Sequence, residues 1–167
     1  MLLYVGGLRE IQVPHIVKSE RGRDFGFAFY TTDLEQQAKR WALRKATLSE
    51  RILQRTSEAI VNVYEYLPSE NLKRKEFHEA DEEWLDLVVR CRSDPSYSHG
   101  YDIVIGKIAN DNVGETFDYV LKGIMRKEDA VQRLKFSQIN NQIAFCSERS
   151  LHTLHFLKRI RLEREGI

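Results

Sequence analysis

Strand-like runs outnumber helical ones along this chain and do not alternate with them regularly, and that spacing is the tightest constraint on its fold. Leu2 to Val5 is a short apolar run ended by Gly6-Gly7, a buried strand meeting a tight turn. Phe25 to Tyr30 is aromatic-rich and suits a strand, with Gly26 where the backbone needs close approach. Ile60, Val61, Val63, Tyr64 and Tyr66 form the clearest β-rich run of the first half. Leu72 to Phe77, Tyr101 to Ile108, Gln142 to Cys146 and His155 to Leu162 supply the other strands. A regular parallel repeat would set a helix between successive strands. This order implies a mixed α/β (α+β) sheet instead.

Helical signals fill the gaps. Thr32-Asp33-Leu34-Glu35 has capping-box spacing, in which the threonine hydroxyl accepts from the N–H three residues on and Glu35 reaches back. Leu34, Ala38, Trp41 and Ala42 then follow as an apolar stripe. Helix resumes through Leu48 to Ala59, with Ile52 expected on its inner face, as a segment inserted over or beside the main fold. Asp81, Glu82 and Glu83 suit the positive end of a helix dipole, ahead of Trp84, Leu85, Val88 and Val89 on the buried side. Val113 to Met125 and Lys127 to Leu134 read as helices, and Ser147 to Leu154 as a short one.

Composition excludes several classes. At 167 residues, with no linker and no repeat, the expectation is one domain over 1–167. The longest apolar runs are too short to cross a bilayer, and Met-Leu-Leu-Tyr does not open like a signal peptide. Cys91 and Cys146 belong to no paired metal or redox motif, which points to a reducing cytoplasm. A net charge of +1 argues against general nucleic-acid binding, although the basic Lys39 to Arg55 segment keeps a local patch open. His152 and His155 have i,i+3 spacing but no third ligand nearby, and no metal is expected.

Three separated segments carry a functional signal. Leu3-Tyr4-Val5-Gly6-Gly7, Asp24-Phe25-Gly26-Phe27-Ala28-Phe29-Tyr30 and Asn141-Gln142-Ile143-Ala144-Phe145 resemble, in order, the signatures of the His-Tyr-Glu branch of the ADP-ribosyltransferase superfamily. The nearer resemblance, over roughly residues 2 to 157, is to a bacterial family known as domain of unknown function 3990. That family looks like Leu-Tyr-His-Gly, Asp-Phe-Gly-x-Gly-Phe-Tyr-x-Thr and Asn-x-Gln-Ile-x-Phe, and Tyr101 to Gly106 with Ala109-Asn110-Asp111 resembles its middle motif.

The resemblance implies a mostly antiparallel split sheet with flanking helices, NAD as ligand and transfer of ADP-ribose to a macromolecule. It also implies a toxin role with a small antitoxin protein as partner. Carried onto this chain, the cofactor-binding residues are Tyr4, Val5, Gly6, Arg23, Phe25 and Tyr30, and Gln142 and Tyr30 are the catalytic positions. Gly6 lets backbone groups approach the nicotinamide amide, Tyr30 stacks on its ring, Arg23 meets the pyrophosphate and Gln142 holds a ribose hydroxyl. Val5 stands where the pattern has His or Arg, and Gln142 is neutral where the superfamily has Glu. Glutamine cannot act as a general base at neutral pH. Asp111 and Glu148 are the nearest carboxylates to replace it.

Each residue also has a plainer reading. Gly6-Gly7 forms a turn, Tyr30 is a half-buried strand aromatic, and Gln142 is a surface strand residue. Arg23 pairs with Asp24, Asp111 sits in a turn, and Glu148 complements a helix N-terminus. The rival class is a catalytically silent domain that acts through a protein partner, and Val5 favours it.

Overall fold

The structure, a computed structural model, describes residues 1–18, 23–108, 111–134 and 141–164. In chain order its elements are β1 (Leu2–Gly7), β2 (Phe29–Thr31), α1 (Glu35–Leu53), β3 (Ala59–Tyr66), β4 (Arg74–Glu76) and α2 (Glu82–Ser93). There follow β5 (Ile103–Gly106), α3 (Asp111–Leu121), α4 (Lys127–Leu134), β6 (Gln142–Phe145), α5 (Glu148–Leu151) and β7 (Leu154–Leu162).

The strands form two sheets, as a mixed α+β class requires. The first has the order β1-β3-β7, antiparallel throughout, and the second β2-β6-β5-β4, in which only β4 and β5 run parallel. Strand alternation sorts the core into layers. Leu3, Val5, Tyr64 and Tyr66 of the first sheet meet Phe29, Ile103, Ile143 and Phe145 of the second in one cluster. Edge-to-face pairs lock it, with Phe29–Tyr64 at 5.8 Å and Tyr66–Phe145 at 5.7 Å between ring centroids. The outer face of the second sheet, at Val104 and Ala144, is covered by Phe25 and by Trp84, Leu85 and Val88 of α2.

α1 covers the outer face of the first sheet through Ala38, Ala42 and Ala46, each fully buried against Ala59 and Val61. This alanine seam recurs every four residues and keeps the helix unbroken to Leu53, where Gln54 ends it in the left-handed conformation (φ 52°). The expected separate helix over Leu48 to Ala59 is therefore the end of α1, a connection over 54–58 and the first residue of β3, and Ile52 is 70% exposed. The expected capping box is not formed either. Thr32 Oγ1 accepts from the Leu34 N–H at 3.1 Å, one residue short of the Glu35 N–H that a capping box requires.

α2 starts as its sequence suggests, with the Asp81 carboxylate accepting from the Trp84 N–H at 2.8 Å. The strand expected from Phe25 shortens to Phe29–Thr31, because Gly26 turns the chain at φ +83°. The Tyr30 hydroxyl then closes that turn, donating to the Gly26 carbonyl at 2.6 Å and accepting from the Phe25 N–H at 3.1 Å. Among the described residues no helix is long and apolar enough to cross a membrane.

Candidate functional site

The two sheets touch edge to edge at one bridge, where Tyr4 and Thr32 exchange backbone hydrogen bonds of 2.8 and 3.0 Å. Past that bridge β1 and β2 part, and a cleft of about 410 Å³ opens between them. Hydrogen-bonding directions alternate along an antiparallel strand, so the same side of β1 that serves Tyr4 also turns the Gly6 N–H and C=O toward this opening. The carbonyl accepts from Lys45 Nζ at 3.2 Å.

Val5 and Gly6 of β1, Arg23 and Tyr30 from the second segment, and Gln142 of β6 all line the cleft. The structure thus brings together groups from three distant parts of the chain. Gly6 also has a packing reason to be glycine, since a Cβ there would lie 2.1 Å from the Ala38 carbonyl oxygen of α1. Val5 is 8% exposed and points into the core between the sheets. The Arg23 guanidinium lies 4.1 Å from the centre of the Tyr30 ring. Burial raises the Tyr30 phenol well above its usual range, against the opposing charge of Arg23. Tyr30 is a neutral hydrogen-bonding platform.

Gln142 is 3% exposed rather than a surface strand residue. Its Nε2 donates to Asp24 Oδ2 at 2.9 Å and to the Lys107 carbonyl at 3.3 Å. Asp24, 6% exposed, in turn accepts at Oδ1 from Arg92 Nε and Nη2 at 2.8 and 2.5 Å. The side chain of Asp24 therefore pairs with Arg92 of α2, and both line the cleft. Trp41, Arg44 and Lys45 of α1 complete the wall, so the cleft carries four cationic side chains beside a single carboxylate among its described lining residues. Sequence reasoning did not reach Asp24, Arg92 or Arg44 as site residues. Arg92 lies 68 residues from its partner, and nothing local marks it.

Other expected residues lie elsewhere. Tyr4 points the opposite way from Val5 and packs on the alanine seam of α1. Phe25 is fully buried and stacks with Phe77 at 6.4 Å. Glu148 is exposed in the first turn of α5, where Ser147 caps the helix. The Asp111 side chain, with Ala109 and Asn110, lies outside the described residues. His152 falls in the turn after α5 and His155 on β7, so the two never share a helix face. Burial pushes the Cys91 and Cys146 thiols up to about 12, which favours the protonated form of both.

Fold and cleft together define an α+β domain of two sheets with a cationic, ligand-sized opening between their edges. Residues 1–156 match the family described as protein of unknown function (DUF3990), and the chain belongs to that family. No curated protein and no solved structure matches it.

Proposed function

We propose that the chain is an ADP-ribosyltransferase-like domain spanning residues 1–167 that binds NAD in this cleft and transfers ADP-ribose to a macromolecule. The observation that carries the reading is convergence. The backbone of Gly6, the Arg23–Tyr30 pair and Gln142 come from three separate segments, the last more than a hundred residues beyond the others, and line one opening. Its volume of about 410 Å³ suits a small-molecule ligand. Four cationic side chains match a pyrophosphate, and the Gly6 edge offers an N–H and a C=O to a carboxamide.

NAD supplies a C–N glycosidic bond whose electron pair leaves with neutral nicotinamide, while the acceptor's oxygen or nitrogen bonds the ribose carbon and loses its proton. The chain's own residues bind and orient. Arg23, Arg44 and Arg92 hold negative charge, and Tyr30, with its hydroxyl tied to the 25–26 turn, keeps its ring in one plane. Both amide hydrogens of Gln142 are committed to Asp24 and Lys107, so what it offers a ribose hydroxyl is an acceptor oxygen. The Asp24 carboxylate supplies negative charge beside that oxygen.

A cytoplasmic setting suits both NAD and the two free thiols. The toxin role and its antitoxin partner rest on the family resemblance. Val5 favours the rival reading of a silent domain acting through a partner, because the apolar side chain is part of the core.

Calorimetric titration with NAD, with nicotinamide release followed in parallel, tests the proposal on this chain and on Val5→His and Arg92→Ala versions of confirmed fold. Binding that Arg92→Ala weakens at least tenfold supports the cleft, and release that rises in Val5→His supports the enzyme. Binding without release in either form supports the silent domain. No binding by folded protein removes NAD from the account.

A further inference from the structure

The exposed side of α1 runs out of the cleft and carries two unusual stripes. Trp41, Leu48 and Ile52 stand at helical spacings of seven and four residues, which places them along one ridge. Trp41 lines the cleft, whereas Leu48 is 56% exposed and Ile52 70% exposed. Beside the ridge, spacings of four and seven residues align Arg40, Arg44 and Arg51, all exposed. None of these three arginines has an ion-pair partner among the described residues. The acidic groups of the helix are used elsewhere, Glu35 on Lys39 at 3.3 Å and Glu50 on Arg164.

We propose that this face docks an acidic amphipathic helix of a protein partner. The two stripes require an occupant with both chemistries. Aliphatic side chains on the partner would cover Leu48 and Ile52, and carboxylates one stripe over would meet the arginines. A nucleic-acid strand would satisfy the arginines and leave the aliphatic ridge in water, so it accounts for half of the surface. From Trp41 to Ile52 the helix rises roughly 16 Å, the length of about three turns of a partner helix. Because Trp41 and Arg44 belong to both surfaces, an occupant of the ridge overhangs the cleft mouth. The inference stands whether or not NAD fills the cleft.

The test is fluorescence anisotropy on the full chain with a labelled synthetic peptide of leucine and glutamate in amphipathic helical order. A scrambled peptide of equal composition and a labelled oligouridylate serve as comparisons. The expected result is binding of the ordered peptide, about tenfold weaker for the scrambled one. Leu48→Ser with Ile52→Ser, and separately Arg51→Glu, should each weaken it about tenfold with unchanged melting temperature. These residues are exposed and contribute no core packing, so a folding failure is separable by the melt. Equal binding of the two peptides would overturn the proposal, as would binding that ignores Leu48 and Ile52. Binding of the oligouridylate alone would overturn it in favour of a nucleic-acid surface, and no binding of any probe would also sink it.

Discussion

Gln142 Nε2 lies 2.9 Å from Asp24 Oδ2, joining the start of β6 to a turn 118 residues earlier. An amide donating to a carboxylate here means that the negative charge of the cleft belongs to the turn and not to the strand. Arg92 meets the far oxygen of the same carboxylate, so a side chain only 6% exposed has its charge partnered from both sides.

Replacing Gln142 by glutamate would therefore not simply restore a charge to β6. It would set two carboxylates in hydrogen-bonding contact inside the cleft, so one of them must take up a proton or move away. We expect Gln142→Glu to cost on the order of 2 kcal/mol and Asp24→Asn a similar amount. The double exchange should recover part of the combined loss, because one carboxylate and one amide again face each other, although the bonds to Arg92 and to the Lys107 carbonyl are not restored. Chemical denaturation of the four proteins at neutral pH gives the coupling energy. A purely additive result would mean that the contact contributes nothing.

Gly6 is held to glycine by packing as well as by its place in the cleft. A Cβ at this position would meet the Ala38 carbonyl oxygen at 2.1 Å and the Ala42 nitrogen at 2.7 Å, both rigid backbone of α1. Gly6→Ala is expected to push α1 off β1 and to cost about 3 kcal/mol, at the upper end for overpacking. Gly7→Ala, whose Cβ meets nothing within 4 Å, should fall within about 0.5 kcal/mol of the parent. Thermal melts of the two variants check the contrast. A tolerant Gly6 would show that the helix seam can slide.

Local chemistry made much of this fold legible. The β3 run is visible because six of its eight residues are apolar or aromatic with no glycine or proline among them, and α2 because Asp81, Glu82 and Glu83 suit the positive end of its dipole. Where the sequence misleads, a distant contact decides. The helix expected to resume at Leu48 is continuous with the one before it, because the alanine seam is held by β1 and β3, which no local window contains. Phe25 looks like a strand residue because it is aromatic. It is aromatic because it fills the core under α2 from a turn. At the site, Gln142 and Tyr30 were legible from motif context, whereas Arg92 sits in an ordinary basic last turn of a helix and gains meaning only from Asp24 across the cleft.

His99 ties the 25–26 turn to β5 and should make the protein acid-sensitive. Its Nε2 lies 3.0 Å from the Phe25 carbonyl, and its Nδ1 accepts from the Tyr101 N–H at 3.0 Å. Only the neutral ring with its proton on Nε2 satisfies both. Burial lowers the pKa below the usual 6.5, and the bond to Phe25 only partly opposes that. The unfolded chain thus binds the extra proton first. The stabilisation is complete above about pH 6.5 and is lost as pH falls from there through the folded-state value. Melting temperatures taken between about pH 8 and pH 5 should decline less steeply in His99→Gln, which keeps a donor and an acceptor without titrating. Parallel slopes in the two proteins would assign the acid sensitivity to other groups.

Asp102, at the same end of β5, also loses its contribution in acid, but over a lower pH range. Its carboxylate accepts from Arg149 Nε at 2.8 Å, Arg149 Nη2 at 2.6 Å, the Ser147 hydroxyl at 2.6 Å and the Lys73 N–H at 2.8 Å. The Arg149 guanidinium, with the Ser147 and Lys73 donors, holds its pKa well below the usual carboxylate range despite burial. A depressed carboxylate stabilises the fold fully above the unfolded value of 3.8 and loses that contribution as pH falls toward the folded one. Arg149 is 59% exposed, so solvent screens part of the pair, and the shift is not all available as stability. Asp102→Asn should still cost about 2 kcal/mol at neutral pH, since asparagine offers one acceptor oxygen to donors from three residues. The deficit should shrink in acid, where the parent protein loses the same interaction. Because β4, β5 and the start of α5 all meet at this carboxylate, hydrogen exchange should rise at Lys73 and around Ser147 together. Exchange that rises at one and not the other would show that Asp102 fastens two independent contacts rather than one joint.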